Sequence, residues 1–340
     1  MLASIIITTY NRREALVETI NVLGKQTVPP DQYEIVVVDD GSTDDTYEVV
    51  SKMSLDCSLK VFRHPENRGI SAGRNLAIRN AIGRNLILVS DDLLVPENFI
   101  AMHLDTLGRY PGWWVVGGFK QLDSLTTTPF GRYLDQLEKG FERMRTGEPI
   151  GDGLFEMTWP TARNLSLPRA DLDRTGLFDE QFRSSCEDQD LAHRARDFGI
   201  RFLYNASITS LHNDQAGDRK RCCKQQQRFA EQTVSFCEKY PAIHGDSELA
   251  RKNGFITKGD SLMLIASKAA KWTLSRGPLR SSVEGLISFG EWLRVPDRFL
   301  FRMYRRLIAL YIFRGWRDGL RSSPARIISN VHSLGYHTDL

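Results

Sequence analysis

The sequence predicts an α/β fold: a doubly wound, largely parallel sheet followed by a mainly helical C-terminal extension. Three observations carry that reading. β-rich and helical runs alternate from Ser4 to Asp92, acidic pairs stand at the ends of two apolar runs, and helical periodicity dominates beyond Lys220. Alternation of this kind belongs to a largely parallel sheet, because each return to a parallel neighbour needs a crossover helix that also covers a sheet face.

The elements follow in order. Ser4 to Thr9 reads as a buried strand, Arg13 to Gln26 has helical spacing through Ala15, Leu16, Thr19, Ile20 and Leu23, and Tyr33 to Asp39 makes a second strand. A helix is expected from Thr43 to Lys52, with Ser42 or Thr43 as its cap and Asp44 and Asp45 in its first turn, where the helix dipole favours carboxylates. Leu59 to Arg63 is a third strand, Ser71 to Ala81 a helix, and Asn85 to Ser90 a fourth strand that ends in Asp91 and Asp92. From Phe99 to Arg174 helix is mixed with strands such as Trp113 to Gly117. Glu187 to Phe198 is a helix, and two late strands, Phe202 to Tyr204 and Ser207 to Leu211, deliver His212 to an edge. The remainder is helical, with a polar break from Ile243 to Gly259.

Composition narrows the class. With 340 residues the chain can bury a sizeable core, and 41% hydrophobic against 26% charged residues excludes a disordered or fibrous protein. Cys57, Cys186, Cys222, Cys223 and Cys237 are odd in number and lack metal-ligand spacing, so neither a disulfide framework nor a zinc module is expected and a reducing compartment fits. The opening residues lack the basic flank and cleavage site of a secretory signal, and no apolar run approaches the ~20 residues of a membrane span. A cytoplasmic protein is therefore expected. The net charge of +3 hides an asymmetry: 23 Lys and Arg face 31 Asp and Glu through Ala216, and 22 face 11 beyond it. An acidic body carries a basic tail.

Strand C-termini in doubly wound sheets are where ligands bind, so the residues there are the first candidates. Ser4-Ile-Ile-Ile-Thr-Thr-Tyr-Asn-Arg12 precedes Val36-Val-Val-Asp-Asp-Gly-Ser-Thr-Asp44; alone, the second run is also what a capped strand-to-helix turn looks like. Glu66-Asn-Arg-Gly-Ile-Ser-Ala-Gly-Arg-Asn75 has glycines that permit close backbone approach, yet matches neither a Walker loop nor a dinucleotide fingerprint. Ser90-Asp-Asp-Leu-Leu-Val-Pro96 follows an apolar strand. Arg163-Asn164 to Arg169, Gly176 to Glu180, Cys186-Glu-Asp-Gln-Asp-Leu-Ala-His-Arg194 and Ser210-Leu-His-Asn213 complete the set.

In this order and spacing, from about Leu2 to His212, the segments resemble the family 2 glycosyltransferases, which have the GT-A fold, a Rossmann-like, doubly wound mixed sheet. The resemblance implies a catalytic domain over 1–216, with a nucleotide-sugar half at 1–98 and an acceptor half at 99–216, and a basic helical region at 217–340. It implies that Thr8 and Tyr10 wall a base pocket, Asp40 accepts from the base ring, Arg68 donates to a base carbonyl, Arg74 faces phosphate or sugar, and Asp91 reaches the ribose hydroxyls. Asp92 and His212 would hold a divalent ion, Mn2+ or Mg2+, at the motif often written DXD. Ser90 replaces the first acid of that triplet, which leaves fewer carboxylates for the ion. Asp188 is implied as the base of an inverting transfer, since a carboxylate beside the acceptor hydroxyl must take its proton as the oxygen attacks. Asp190 and Arg194 sit one helical turn apart, so Asp190 is expected to be structural. Trp159, Asn164 and Glu187 are candidate acceptor contacts, whereas Trp113 and Trp114 are expected in the core. The expected donor is a UDP-sugar, ahead of dTDP- and GDP-sugars, and the acceptor a glycan or lipid-linked glycan; no nucleic-acid partner is expected.

Arg294 to Arg326 interleaves arginines with a stripe of Leu300, Tyr304, Leu307 and Tyr311. Two readings stay open for it: resting on an anionic membrane surface, or packing on the body or in a homodimer. Two functions rival a glycosyltransferase. A sugar nucleotidyltransferase would carry a basic glycine-rich N-terminal loop, which is missing, and a non-catalytic binding module of the same fold would share every nucleotide-side motif.

Overall fold

The computed structural model describes residues 1–143, 149–151, 153–213, 218–242 and 248–322. The chain divides into two compact units, Met1–Gly217 and Asp218–Leu340.

The first unit opens with β1 (Ala3–Thr9), α1 (Arg13–Leu23), β2 (Tyr33–Asp39), α2 (Thr46–Val50), β3 (Ser58–Arg63), α3 (Ile70–Asn80) and β4 (Asn85–Val89). It continues through β5 (Leu93–Leu94), α4 (Phe99–Arg109), β6 (Trp113–Gln121), α5 (Pro129–Arg143), β7 (Pro149–Gly151), β8 (Leu154–Met157) and β9 (Asn164–Pro168). It closes with α6 (Asp171–Thr175), α7 (Glu187–Arg196) and β10 (Arg201–His212). These strands form one mixed sheet ordered β3-β2-β1-β4-β9-β6-β10-β8-β7, with β5 paired to β10. β1 runs parallel to both β2 and β4, whereas β9 enters antiparallel between β4 and β6. That insertion makes the sheet mixed and brings the start of β9 beside the end of β4.

Strand alternation divides the core in two. Ile5 and Ile7 of β1 join Val37, Leu16, Ile20 and Phe99 on one side, while Ile6 joins Val36, Val38, Ala77, Leu88 and Trp114 on the other. Side chains of successive strand residues point to opposite faces, so a strand buried on both has an apolar middle, as Ile5–Ile7 of β1 and Ile35–Val38 of β2 do.

Three local expectations need correction. The helix expected from Thr43 is a single turn from Thr46, because Ser42 Oγ accepts from the Asn11 N–H at 2.8 Å and Asp44 takes the Thr46 N–H at 3.1 Å. The two late strands are one, β10, whose pairing with β6 shifts register between Asn205 and Thr209; the irregular Asn-Ala-Ser stretch is a bulge inside a strand. The polar break contains a helix at 248–253.

The second unit comprises α8 (Arg219–Lys239), α9 (Glu248–Asn253), α10 (Leu262–Leu274), α11 (Gly277–Trp292) and α12 (Asp297–Ser322). α12 lies against α8 at close range: a Cβ on Gly315 would fall 1.9 Å from the Gln227 carbonyl oxygen, so only glycine permits this approach. The stripe of Leu300, Tyr304, Leu307 and Tyr311 is buried inside this unit. The stripe therefore does not form a membrane-facing surface, and of its two readings packing within the unit is the one that holds; Arg326 lies outside the described residues. No helix among the described residues is long and apolar enough to cross a membrane.

Candidate active site

The tips of β1, β2 and β4, the entry to α3, the start of β9 and the first turn of α7 gather the residues singled out above. Asp40, just past β2, is buried and ties down the following loop: its Oδ1 lies 2.7 Å from His64 Nδ1 and accepts from the Arg68 N–H at 3.0 Å, and its Oδ2 accepts from the Gly69 N–H at 2.8 Å. Gly69 precedes α3 at φ +98°, and a Cβ there would strike the Arg183 backbone, so glycine is required. Asp40 thus spends most of its accepting capacity on its own chain. The Arg68 guanidinium is exposed and donates to Glu180 at 3.0 Å. Tyr10 is exposed at the rim, and Thr8 Oγ1 is buried with no hydrogen-bond partner.

Beyond β4 the two acids differ. Asp91 accepts from Thr9 Oγ1 at 2.7 Å and lies 3.4 Å from Arg12 Nε. Asp92 Oδ2 takes the Arg12 guanidinium at 2.5 Å and stands 3.3 Å from His212 Nε2, while its buried Oδ1 has no hydrogen-bond partner. Burial opposes the charge on Asp92, but His212, Arg12 and Arg163 outweigh it and hold the carboxyl well below its usual range. Burial likewise opposes a charged His212; the Asp92 carboxylate and a contact with Glu138 prevail and push it up to about 9. Glu138 Oε1 lies 3.2 Å from His212 Nδ1. Among the described residues no group of three or more His, Cys, Asp or Glu side chains encloses a metal position. The fit to a divalent ion is consequently partial: Asp92 Oδ1 offers one donor and His212 Nε2 a second only after releasing its proton, the remaining ligands would have to come from a bound diphosphate, and the ion would share Asp92 with Arg12.

Asp188 lies in the first turn of α7, entered through Cys186 in the left-handed conformation at φ +66°. A non-glycine residue in that region is held there at a cost, which the surrounding structure must offset. Asp188 Oδ2 accepts from the Ala162 N–H at 3.3 Å and Oδ1 from the Gln189 N–H at 2.9 Å. Burial and the Glu187 charge raise its pKa to about 7, against the lowering effect of Arg74 and the two amides. Arg74 donates to Glu187 at 2.7 Å, both side chains being buried, and the other Glu187 oxygen has no hydrogen-bond partner.

Adjacent residues join the two acidic centres. Ala162 holds Asp188, the next residue Arg163 acts on Asp92 and His212 by its charge, and the Arg163 carbonyl accepts from the Ser90 N–H at 2.9 Å. β9 beside β4 produces this: Val89 pairs with Asn164, so the chain leading into β9 runs past the acid pair.

Not every expected residue belongs to this cluster. Asn164 is fully buried, donates to the Gly118 and Ile208 carbonyls and meets His103 at 2.8 Å, so it locks β9 to its neighbours and cannot contact an acceptor. Burial pushes His103 down to about 4, as suits a neutral ring between Asn164 and Ser166. Arg74, for which a phosphate or sugar contact was expected, donates to Glu187. Trp114 is in the core, as expected, and Trp159 is partly exposed with the Arg196 guanidinium 4.3 Å above its ring. Asp190 pairs with Arg194 at 2.8 Å. Arg12, Glu138 and Arg163 were not singled out from sequence. Arg12 closes the first quoted motif and could have been; Glu138 sits on an amphipathic helix with no local signal, and only tertiary packing brings it to His212.

The pKa balance at Asp188 has a testable consequence. Replacing Glu187 with Gln removes a charge that raises the Asp188 pKa and frees Arg74 to lower it, so the midpoint is expected to move below pH 7. Carbon-detected NMR titration of the aspartate carboxyls checks this without any substrate, and an unmoved or rising midpoint refutes the electrostatic picture.

The profile described as Glycosyl transferase family 2 matches residues 4–151. The chain is 29% identical over 298 residues to the uncharacterized glycosyltransferase YfnE of Bacillus subtilis (strain 168), covering 75% of each protein. It is 30% identical over 223 residues to the validoxylamine A glucosyltransferase of Streptomyces hygroscopicus subsp. limoneus, covering 58% of this chain and 49% of that one. Among solved structures, the mannosyltransferase PcManGT of Pyrobaculum calidifontis, in complex with GDP-Man and Mn2+, superposes with a TM-score of 0.59 at 20% identity over 93% of this chain and 87% of that chain. That likeness speaks to the fold, which is of GT-A type. Motif order, sheet topology and these comparisons agree on a GT-A fold, and residues 4–151 match glycosyltransferase family 2.

Proposed function

We propose that the protein transfers one sugar, with inversion, from a nucleoside diphosphate sugar to an acceptor hydroxyl of a glycan or lipid-linked glycan. The observation that carries this is the juxtaposition through Ala162 and Arg163 of a carboxyl raised to about pH 7 and a second one held ionised among cations. Such a split in carboxylate environments is what acid-base assignment at one site requires.

In the proposed reaction the acceptor oxygen attacks the anomeric carbon from the face opposite the phosphate. Asp188 Oδ2 takes the hydroxyl proton, and the bond from the anomeric carbon to the phosphate oxygen breaks with its electron pair on the nucleoside diphosphate. Asp91 and Asp92, with Arg12 between them and His212 beside Asp92, form the floor on which that charge develops. A divalent ion bound by Asp92 and His212 would supply further neutralisation of the leaving diphosphate. Glu138 holds the His212 ring by its other nitrogen, and Glu187 keeps the proton affinity of Asp188 high. Thr8, Tyr10 and Arg68 surround the proposed base site, with Asp40 fixing the loop that presents Arg68. UDP is the preferred nucleotide, and Trp159 remains the proposed acceptor contact.

Thermal unfolding across a panel of nucleotide sugars, with and without Mn2+, tests the donor assignment. Binding at about 100 times Kd adds ~2.7 kcal/mol and should raise Tm by roughly 5 °C or more for one nucleotide class. No stabilisation by any member, with or without metal, would contradict the proposal.

A further inference from the structure

Helices α10 and α11 are built the wrong way round for a helical unit in water. A surface helix normally turns its apolar stripe inward and its charges outward. In α11 the charged side chains point in: Glu291 accepts from Tyr304 Oη at 2.6 Å and Arg219 at 2.7 Å, Glu284 accepts from Tyr311 Oη at 2.6 Å, and Arg280 lies 4.7 Å over the Tyr311 ring. Leu279, Leu286, Phe289 and Trp292 recur at i, i+7, i+10 and i+13 on the outward arc, with Leu286 61% and Trp292 74% exposed and no charged residue among them. In α10 both lysines turn inward, Lys268 to Asp260 at 2.6 Å and Lys271 to Asn253 at 3.0 Å, while Leu262 and Met263 are 86% and 84% exposed. Two successive helices thus present uncharged, apolar outer faces, and large patches of that kind mark interaction sites.

We infer that these faces seat the second unit in the headgroup region of an anionic lipid leaflet. Charge decides among occupants. From residue 217 onward the chain carries 22 Lys and Arg against 11 Asp and Glu, and Arg276, Arg294 and Arg298 are exposed at the ends of α10, α11 and α12. A second copy would bring an equal positive excess against the first, whereas phosphate headgroups complement it. At ~1.5 Å per residue, helices of 13 and 16 residues are too short to cross the hydrocarbon layer and long enough to lie in its surface. Trp292 and Phe289 are the residue types that favour this interface. Membrane seating stands apart from the catalytic assignment: it would hold or fail whatever the acceptor.

The test is co-sedimentation of the full chain with phosphatidylcholine vesicles containing phosphatidylglycerol, against phosphatidylcholine alone. Binding is expected to the anionic vesicles and to fall by about tenfold or more in a Phe289→Ser, Trp292→Ser double variant. Ile82→Ser, which removes an exposed apolar side chain from the first unit, should leave it unchanged. All three positions are exposed, so an unaltered Tm certifies the fold. Failure to bind anionic vesicles, equal binding of the double variant, or a dimer in light scattering that the double variant dissolves without any vesicle binding would each overturn the inference.

Discussion

Asp188→Asn is expected to lower turnover by ~10²- to 10⁴-fold, the range for removing a general base, while donor affinity stays within twofold. The asparagine side-chain oxygen can still accept from Ala162 or Gln189, so local geometry should survive. Stability should move the other way. A carboxyl whose folded pKa is raised from 3.8 to about 7 loses stability as pH rises between those values, and the deficit persists above them. The neutral amide escapes that penalty, so at pH 8 the variant should melt no lower than the parent. Loss of activity with Tm preserved or raised is the signature of a residue strained for function. Unchanged sugar transfer would remove Asp188 from the base role, and loss of donor stabilisation alongside activity would point to a misfolded site.

Asp92→Asn is expected to cost turnover on the order of 10²- to 10³-fold, corresponding to several kcal/mol of charge stabilisation at the leaving group. It should also abolish any extra thermal stabilisation that Mn2+ adds to nucleotide binding. His212 supplies a second readout. Its pKa is held up mainly by the Asp92 charge, so the ring should titrate markedly below about 9 in the variant, which proton NMR of the imidazole resolves. Removing the carboxylate leaves Arg12 and His212 without their shared partner, and the histidine can relieve this by releasing its proton. Persistence of both the metal response and the His212 pKa would show that the acid pair does not organise the site.

These two substitutions strike residues that the motifs exposed, whereas their partners came from packing. Asp91 and Asp92 were legible because an apolar run in a doubly wound sheet ends where ligands bind, and Asp188 because its block follows in family order. Arg12 between the acids, Glu138 behind His212 and the Arg74–Glu187 pair were not, since each depends on which distant segments the sheet brings side by side. Asn164 misled for the same reason: an amide in a motif looks available until β6 and β10 close on it.

The same division holds for the second unit. Its stripe at Leu300, Tyr304, Leu307 and Tyr311 was plain in the sequence, and so was the basic surplus. Which side of each helix faces water was not. Periodicity reports that a face is apolar, and an apolar face can be buried against α8, as in α12, or left outward, as in α10 and α11. The linear order of residues thus determined most strands and helices and the chemical kinds of side chain at the strand tips, because local periods and backbone preferences act over a few residues, while the start of α2 and the bulge in β10 were set by distant contacts. Tertiary structure alone decided which charges share a low-dielectric site and which apolar faces remain uncovered, because both depend on contacts between residues far apart in the chain.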